Sequence, residues 1–215
     1  MFNKDIGFSS NELMNTKEKI VARTLELFNS GGVENVTTRH IAKSMGISQG
    51  NLHYHYPNKN SLIQILFVDF LKEIKEAEQF KDSTFQKNMF IDSIHVNYRI
   101  MVKYAFLFKD NEIIWRRIPE IKNELIEFLS YKKTKFIELL KMYKDNNILR
   151  SDITQNQINF LADQFIFTFS SWLRSSEYMD FKKNKLAYFS DFTVRLILPY
   201  LVASEIKLWE ELLDK

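Results

Sequence analysis

The sequence contains no cysteine, and it has five glycines and three prolines among 215 residues. Without cysteine the chain can form neither a disulfide nor a thiolate-ligated metal site, which fits a reducing compartment. All five glycines lie within the first 50 residues. Because a β-rich domain of the remaining length would need many tight turns, this scarcity predicts an all-α fold.

Long apolar runs are also missing. No uncharged apolar stretch approaches the roughly 20 residues that cross a bilayer, and residues 1–5 do not resemble a secretory signal. Apolar residues make up 45% of the chain and charged residues 27%, as is usual for globular proteins. We therefore expect a cytoplasmic protein with no membrane contact.

Negative charge is absent from one stretch of the chain. Residues 35–68 contain no aspartate or glutamate, although the formal net charge of the whole chain is only +3. The same stretch holds Arg39, Lys43 and Lys59. A surface that faces DNA phosphates should be basic and free of carboxylates. The distribution of charge, rather than its total, therefore points to nucleic acid.

Two of the glycines frame a short helix–turn–helix pattern. Gly46 follows a predicted helix over residues 38–45, where the backbone needs a positive φ, and Ser48 caps the next helix. Ala42 allows the two helices to approach closely. Apolar residues set the angle between them: Ile41, Met45, Ile47 and Leu52. A helix pair of this kind can place its second helix in the DNA major groove.

Apolar periodicity predicts further helices along the chain. Asn15 and Glu18 form a capping box for the first helix, which ends at Gly31 and Gly32. Pro57 ends the helix that follows Gly46. The later helices are predicted at about residues 59–80, 84–108, 120–146, 155–177 and 182–213, the last with a kink at Pro199. The total is about nine helices.

The runs TTRHIA (37–42) and MGISQGNLHYHYPNK (45–59) resemble the N-terminal domain of the tetracycline-repressor (TetR) family. The resemblance covers about residues 16–65. The family favours the pattern Leu-Tyr-x-His-Phe at the end of the recognition helix, and here His53 replaces the usual tyrosine.

The resemblance implies a ligand-responsive transcriptional regulator, usually a repressor, that binds a palindromic double-stranded DNA operator as a homodimer. It implies a flexible arm at residues 1–14, a three-helix DNA-binding domain at 15–62, and a helical domain at 63–215. That last domain would bind a small-molecule effector and pair with a second copy through its last two helices. An alternative stays open, a helical interaction or ligand-carrying module that retains the fold without specific operator binding.

The candidate DNA contacts follow from side-chain chemistry. Glutamine and asparagine suit adenine edges, and the hydroxyls of threonine and serine can bind phosphate or simply cap helices. A glycine inside a helix costs about 1 kcal/mol, which makes sense if the backbone approaches DNA closely. Tyr56 is expected in the core instead. The candidates are Thr37, Thr38, Arg39, Ser48, Gln49, Gly50, Asn51, His53, Tyr54 and Lys59.

The chain has nineteen phenylalanines, and the aromatic residues of its C-terminal half could line a pocket for an apolar or aromatic effector, although most of them are expected in the core or the dimer interface. The candidate pocket residues are Phe106, Trp115, Phe128, Phe165, Phe169 and Trp172. No cofactor or metal is expected, because His53 and His55 would face different sides of a helix. The sequence lacks a cysteine nucleophile, a glycine-rich phosphate loop and a paired carboxylate–histidine arrangement, so we do not expect an enzyme.

Overall fold

The structure, a computed structural model, describes residues 15–78, 89–179 and 184–213, and these residues form eleven α-helices and no β-strand. The helices are α1 Thr16–Gly31, α2 Thr38–Ser44, α3 Gln49–His55, α4 Lys59–Glu78, α5 Met89–Lys103, α6 Ala105–Lys109, α7 Asn111–Arg117, α8 Pro119–Asp145, α9 Gln155–Ser175, α10 Lys185–Ile197 and α11 Ala203–Leu213. The all-α prediction is confirmed. None of the described helices has the length and apolar content needed to span a membrane.

The chain divides into two compact units, one ending at Val68 and one beginning at Asp69. We call these the first and the second unit. The predicted domain limits at 15–62 and 63–215 remain predictions, and the arm predicted at 1–14 lies outside the described residues.

Local polar contacts at the helix ends stabilise the first unit. The capping box of α1 is present, since the Glu18 N–H donates to Asn15 Oδ1 over 3.0 Å and the Asn15 N–H donates to Glu18 Oε2 over 2.9 Å. The helix ends at Gly32, whose φ is 76°. Its buried face, Ile20, Thr24 and Phe28, contributes to the core of the unit.

The second unit is built around the inner faces of its long helices. Helix α9 begins with a capping box between Thr154 and Gln157 and buries an apolar stripe. Helix α8 begins at Pro119, as predicted, because a proline at the first helical position loses no hydrogen bond. Phenylalanine and tryptophan rings from α4, α5, α6, α8, α9, α10 and α11 fill the core between the helices.

Three predicted segments differ from the structure. The helix predicted over 84–108 is interrupted at Tyr104, where ψ is 37°, so α5 and α6 are separate helices. The stretch predicted as a connection around 111–118 forms α7. The predicted ends near residues 80, 84 and 182 lie outside the described residues.

Pro199 breaks the last helix rather than kinking it. Residues Leu198–Tyr200 form a 3-10 turn, and the chain then extends at Leu201, with φ −70° and ψ 154°. The extended backbone finds partners elsewhere, because the Arg150 N–H donates to the Tyr200 carbonyl and the Val202 N–H donates to the Ile148 carbonyl. The proline, which has no N–H, ends α10 and lets α11 begin in a new direction.

Candidate nucleic-acid interface and effector core

The turn between α2 and α3 depends on Gly46. Its φ is +67°, a backbone conformation that residues with a Cβ adopt only with strain. After the turn, the Ile47 N–H donates to the carbonyl of the buried Ala42 over 3.1 Å. The predicted helix–turn–helix is thus present, with glycine at the turn and alanine at the close contact.

Two of the candidate hydroxyls act as helix caps. Thr37 Oγ1 accepts from the His40 N–H over 3.2 Å, and Ser48 Oγ accepts from the Asn51 N–H over 3.0 Å. A hydroxyl that accepts at a cap still carries a hydrogen that it can donate. Capping and phosphate binding are therefore compatible for both residues, and the phosphate contacts stay predictions.

Helix α3 has one buried and one exposed face. Leu52 is buried, and so is Tyr56 just beyond the helix, which confirms its predicted place in the core. The candidates on this helix are all exposed: Gln49, Gly50, Asn51, His53 and Tyr54. The Tyr54 side chain is 85% exposed.

The space around Gly50 shows that the folded chain does not itself require glycine there. A Cβ at this position would meet nothing closer than Ser48 Oγ, at 3.9 Å. The helical glycine therefore lacks a reason within the described part of the protein, although it destabilises the helix. Close approach of a partner to the backbone would supply that reason.

Lys59 has a structural role that the sequence did not reveal. Its Nζ donates to the carbonyls of Val33, Glu34 and Val36 over 2.6, 3.3 and 3.0 Å. The side chain thereby ties the start of α4 to the loop between α1 and α2. Its predicted phosphate contact stays a prediction.

The remaining DNA candidates lie in the first turn of α2. Arg39 is exposed and Thr38 is half-buried. Nearby, Arg23 Nε donates to Ser44 Oγ over 3.1 Å and so connects α1 to the end of α2. Over the residues that the structure describes, no three histidine or acidic side chains come together as a metal site would need.

The candidate pocket residues fall into different parts of the second unit. Phe106, Phe128, Phe165, Phe169 and Trp172 are buried. Trp115 on α7 is half-buried, with the Lys122 ammonium 5.8 Å from its ring centroid. The structure does not gather all six around one space, so their ligand contacts remain predictions.

Ring contacts join several of these residues to aromatic neighbours. Phe128 packs edge-on against Phe70, and Phe169 packs edge-on against Phe108, each pair with centroids 5.6 Å apart. Phe165 stacks on Phe136 at 4.2 Å. Trp172 instead contacts rings of α10, at Tyr188, Phe189 and Phe192.

Two spaces lie beside these rings. A cavity of about 10 Å³, enough for one water, is lined by Phe90, Phe136, Leu140, Leu161, Phe165, Thr193, Leu196 and Ile197. A cleft of about 480 Å³ is lined by Leu71, Lys75, Glu124, Glu127, Phe128 and Tyr131. Only the cleft has the volume typical of sites for drug-sized ligands, and it includes one predicted pocket residue, Phe128.

This core also contains a buried lysine that was not among the residues predicted from the sequence. Lys132 is 4% exposed, and its Nζ donates to Asn97 Oδ1 over 2.6 Å. The same Nζ lies 5.0 Å from the centroid of the Phe169 ring. The signal was present in the spacing, because Lys132 falls four residues after Phe128 and four before Phe136, on the apolar face of α8.

Two short helices joined by a glycine turn, with one face of the second helix exposed to solvent, define a protein of the helix–turn–helix class. The family model of the tetR family of bacterial regulatory proteins matches residues 20–65, and a second model, described as a bacterial transcriptional repressor, matches residues 67–207. The chain therefore belongs to the tetR family.

Two comparisons show how the similarity is distributed. The class D tetracycline repressor protein of Escherichia coli is 38% identical over 55 residues, which are 26% of this chain and 25% of that protein. The match thus spans about a quarter of that relative's length. A TetR-family regulator from Marinobacter aquaeolei has the same fold, with a TM-score of 0.84 at 22% identity, over 94% of this chain and 98% of that one.

A third comparison is with a structure in which a small molecule is bound. The SmeT–triclosan complex matches with a TM-score of 0.54 and 17% identity, over 87% of this chain and 92% of that one. At this identity the likeness concerns the fold alone.

Proposed function

We propose that this protein is a sequence-specific DNA-binding transcriptional repressor that acts as a homodimer and releases its operator when it binds a small apolar or aromatic molecule. The observation that carries the proposal is the exposed face of α3. It presents Gln49, Asn51 and Tyr54 to solvent in a stretch of 34 residues without a carboxylate. Membership of the tetR family supports it.

On the operator, α3 lies in the major groove. Gln49 and Asn51 reach base edges, where their amides pair with adenine in two hydrogen bonds. Gly50 allows the helix backbone to come close, while Arg39, Tyr54 and the capping hydroxyls of Thr37 and Ser48 contact phosphates. Thr38, His53 and Lys59 complete the proposed interface.

Dimerisation uses apolar side chains that the second unit leaves exposed. Phe160 and Phe167, seven residues apart on one side of α9, are 58% and 72% exposed. Tyr188 and Phe192 on α10 and Leu208 on α11 are also exposed. Burying these side chains against a second copy would remove apolar surface from water and so favour association. The dimer places two α3 helices in successive major grooves, roughly 34–36 Å apart on a palindromic operator.

The effector acts on the second unit and changes the direction of α4, which continues from one unit into the other. A ligand lowers DNA affinity only to the extent that it binds the released state better. The triclosan bound in the complex of SmeT supports a small-molecule effector. We further propose that the protein acts in the cytoplasm, where its operator lies, with no catalytic role and no cofactor.

Fluorescence anisotropy with DNA that flanks the protein's own gene tests the proposal. We expect binding to survive excess competitor DNA at about 150 mM salt, because nonspecific affinity is weak there. Lengthening the spacer of the bound palindrome by two base pairs should abolish tight binding, because the two α3 helices would no longer face their half-sites. The double variant Q49A/N51A should lose specificity while Lys141→Met, on exposed α8 surface, keeps it. Binding that is unchanged by the longer spacer and is lost to the competitor would favour the interaction-module alternative.

A further inference from the structure

Lys132 places a charge inside the apolar face of α8. Among the seven buried residues of this helix, which the structure describes in full, Lys132 is the only one with a charged side chain. Phe128 lies one turn before it and Phe136 one turn after it. Burying a charged group costs free energy that an apolar side chain of similar size would not cost. Packing of α8 alone therefore does not account for a lysine at this position.

The contacts of Lys132 place its Nζ between three helices. The Nζ donates to Asn97 Oδ1 on α5 over 2.6 Å and lies 5.0 Å from the ring centroid of Phe169 on α9. The Asn97 amide is itself oriented, since its Nδ2 donates to the carbonyl of Ser93 over 2.8 Å and to Ser93 Oγ over 3.1 Å. The amide oxygen is thus fixed toward Lys132.

A continuous series of rings connects Lys132 to the cleft. Phe169 contacts Phe108, Phe108 contacts Phe70 at 5.7 Å, and Phe70 contacts Phe128, which lines the cleft. Phe128 also lies one helical turn from Lys132 along α8. Phe128 is therefore shared between the wall of the cleft and the buried face of α8 that carries Lys132.

We propose that Lys132 binds the acidic end of the effector, so that the effector is an apolar or aromatic monocarboxylate. This inference rests on the proposed function and specifies its ligand. The carboxylate accepts from Lys132 Nζ, which it shares with Asn97 Oδ1, and the apolar body lies against Phe128 and the neighbouring rings. Charge-assisted hydrogen bonds of this type are stronger than neutral ones.

The rim of the cleft adds a second specificity. Glu124 and Glu127 are exposed there, and Lys75 faces the same space. A second carboxylate at the far end of the ligand would lie beside these two acidic side chains and be repelled. The site is therefore selective for molecules with a single acidic end.

Isothermal titration of the full chain with matched ligands tests this inference without DNA. The probes are naphthoate and decanoate, their neutral amides, and the corresponding diacids, naphthalene dicarboxylate and sebacate. We expect the monoacids to bind at least about ten-fold more tightly than the amides or diacids, as the loss of one charge-assisted contact would give. Lys132→Met should remove this preference, while Lys132→Arg, which keeps the charge, should retain part of it.

Lys141→Met is the matched control, because Lys141 lies on the exposed side of the same helix. It should bind the acids as the wild type does. Circular dichroism checks that each variant is folded, and Lys132→Arg keeps the test decisive should Lys132→Met unfold. Equal binding of acids and amides, an unchanged preference in Lys132→Met, or no binding of any monoacid by the wild type would overturn the inference.

The same proteins in the operator assay separate this inference from the proposed function. Acid binding through Lys132 together with an absence of operator binding would support the site and overturn the repressor function. Specific operator binding by a protein that shows no preference for the acids would support the repressor and overturn the acid site.

Discussion

The two units of this protein are stabilised by different kinds of contact. The first unit depends on helix caps, two glycines with positive φ and one lysine that binds three carbonyls. The second depends on ring–ring packing, with Phe70 in contact with Tyr104, Phe108 and Phe128. Contacts of the first kind fix the backbone residue by residue, which suits a surface that meets regular DNA. Rings fill space and can repack, which suits a core that admits a ligand.

The contrast extends to one lysine in each unit. Lys59 donates to backbone carbonyls of the loop between α1 and α2, so we assign it a structural role in addition to its proposed contact with DNA. Lys132 binds an amide oxygen and faces a ring within an apolar helix face. Replacing each lysine in turn tests whether Lys59 stabilises the first unit and whether the second unit is stable without Lys132.

The largest effect is expected from Lys59→Met. The change removes three hydrogen bonds from a charged donor and should destabilise the first unit by about 3 kcal/mol. Hydrogen exchange measured by mass spectrometry should show faster exchange in peptides from residues 16–44, with little change beyond residue 89. Lys132→Met, in contrast, should change the free energy of unfolding by less than about 1 kcal/mol, since an apolar side chain is well tolerated there.

Lys43→Met is the control for the first unit, because Lys43 is exposed in the last turn of α2. It should leave hydrogen exchange unchanged. If Lys59→Met exchanged no faster than Lys43→Met, the structural role assigned to Lys59 would be wrong.

The next largest effect is expected in the second unit, from Phe70→Leu. Losing three edge-on ring contacts should cost about 2 kcal/mol. Urea unfolding followed by tryptophan fluorescence measures this unit alone, because all three tryptophans lie beyond Asp69. Operator affinity should persist while its response to the effector weakens. Val68→Ala, at an exposed position of α4, should change neither; a Phe70→Leu protein that responds normally would show that these rings do not couple the ligand to α4.

The structure of the first unit was more predictable from the sequence than that of the second unit. The helix–turn–helix, its caps and the α1 capping box were predictable because each needs particular residue types at fixed spacing. The helix breaks at Tyr104 and Pro199 were not predictable from the sequence. Apolar periodicity continues across both, and the extended backbone after Pro199 is stabilised by Ile148 and Arg150, which are distant in sequence.

The candidate sites divide in the same way. The exposed face of α3 could be read from helix geometry alone, because the buried positions Leu52 and Tyr56 fix which side faces solvent. Which aromatic rings meet depends on helix packing. No sequence pattern therefore separates Trp172, which packs on α10, from Phe128, which lines the cleft. Lys132 was detectable as a lysine in an apolar stripe, although its partners Asn97 and Phe169 were not.

Two glycine variants test the roles of Gly46 and Gly50 in the first unit. Gly46→Ala should destabilise it by about 1 kcal/mol, because alanine is strained at positive φ. Gly50→Ala should stabilise it by a similar ~1 kcal/mol, since it improves the helix and its Cβ meets only Ser48 Oγ, at an ordinary contact distance. Both should weaken operator binding, the first through the turn and the second because the new methyl group meets DNA. Thermal unfolding and anisotropy give the two readouts, and full affinity in Gly50→Ala would contradict close backbone approach.

The smallest effect concerns Asp69, at the start of the second unit. Partial burial, and then repulsion from Glu73, raise the pKa of this carboxyl above its usual 3.8. A raised pKa means that the folded state favours the protonated form, so the stabilising contribution is complete below pH 3.8 and is lost as the pH rises through the folded-state pKa. The ionised carboxylate therefore destabilises the fold at neutral pH.

Asp69→Asn should raise the melting temperature at pH 7 by an amount equivalent to less than about 1 kcal/mol, because the group is largely solvated. This gain should shrink toward pH 4. Glu76→Gln, one turn beyond Glu73 on the exposed side of α4, should give no such pH-dependent gain. A constant gain at every pH would mean that the amide improves packing or hydrogen bonding, and that the charge on Asp69 has no part in the stability of this unit.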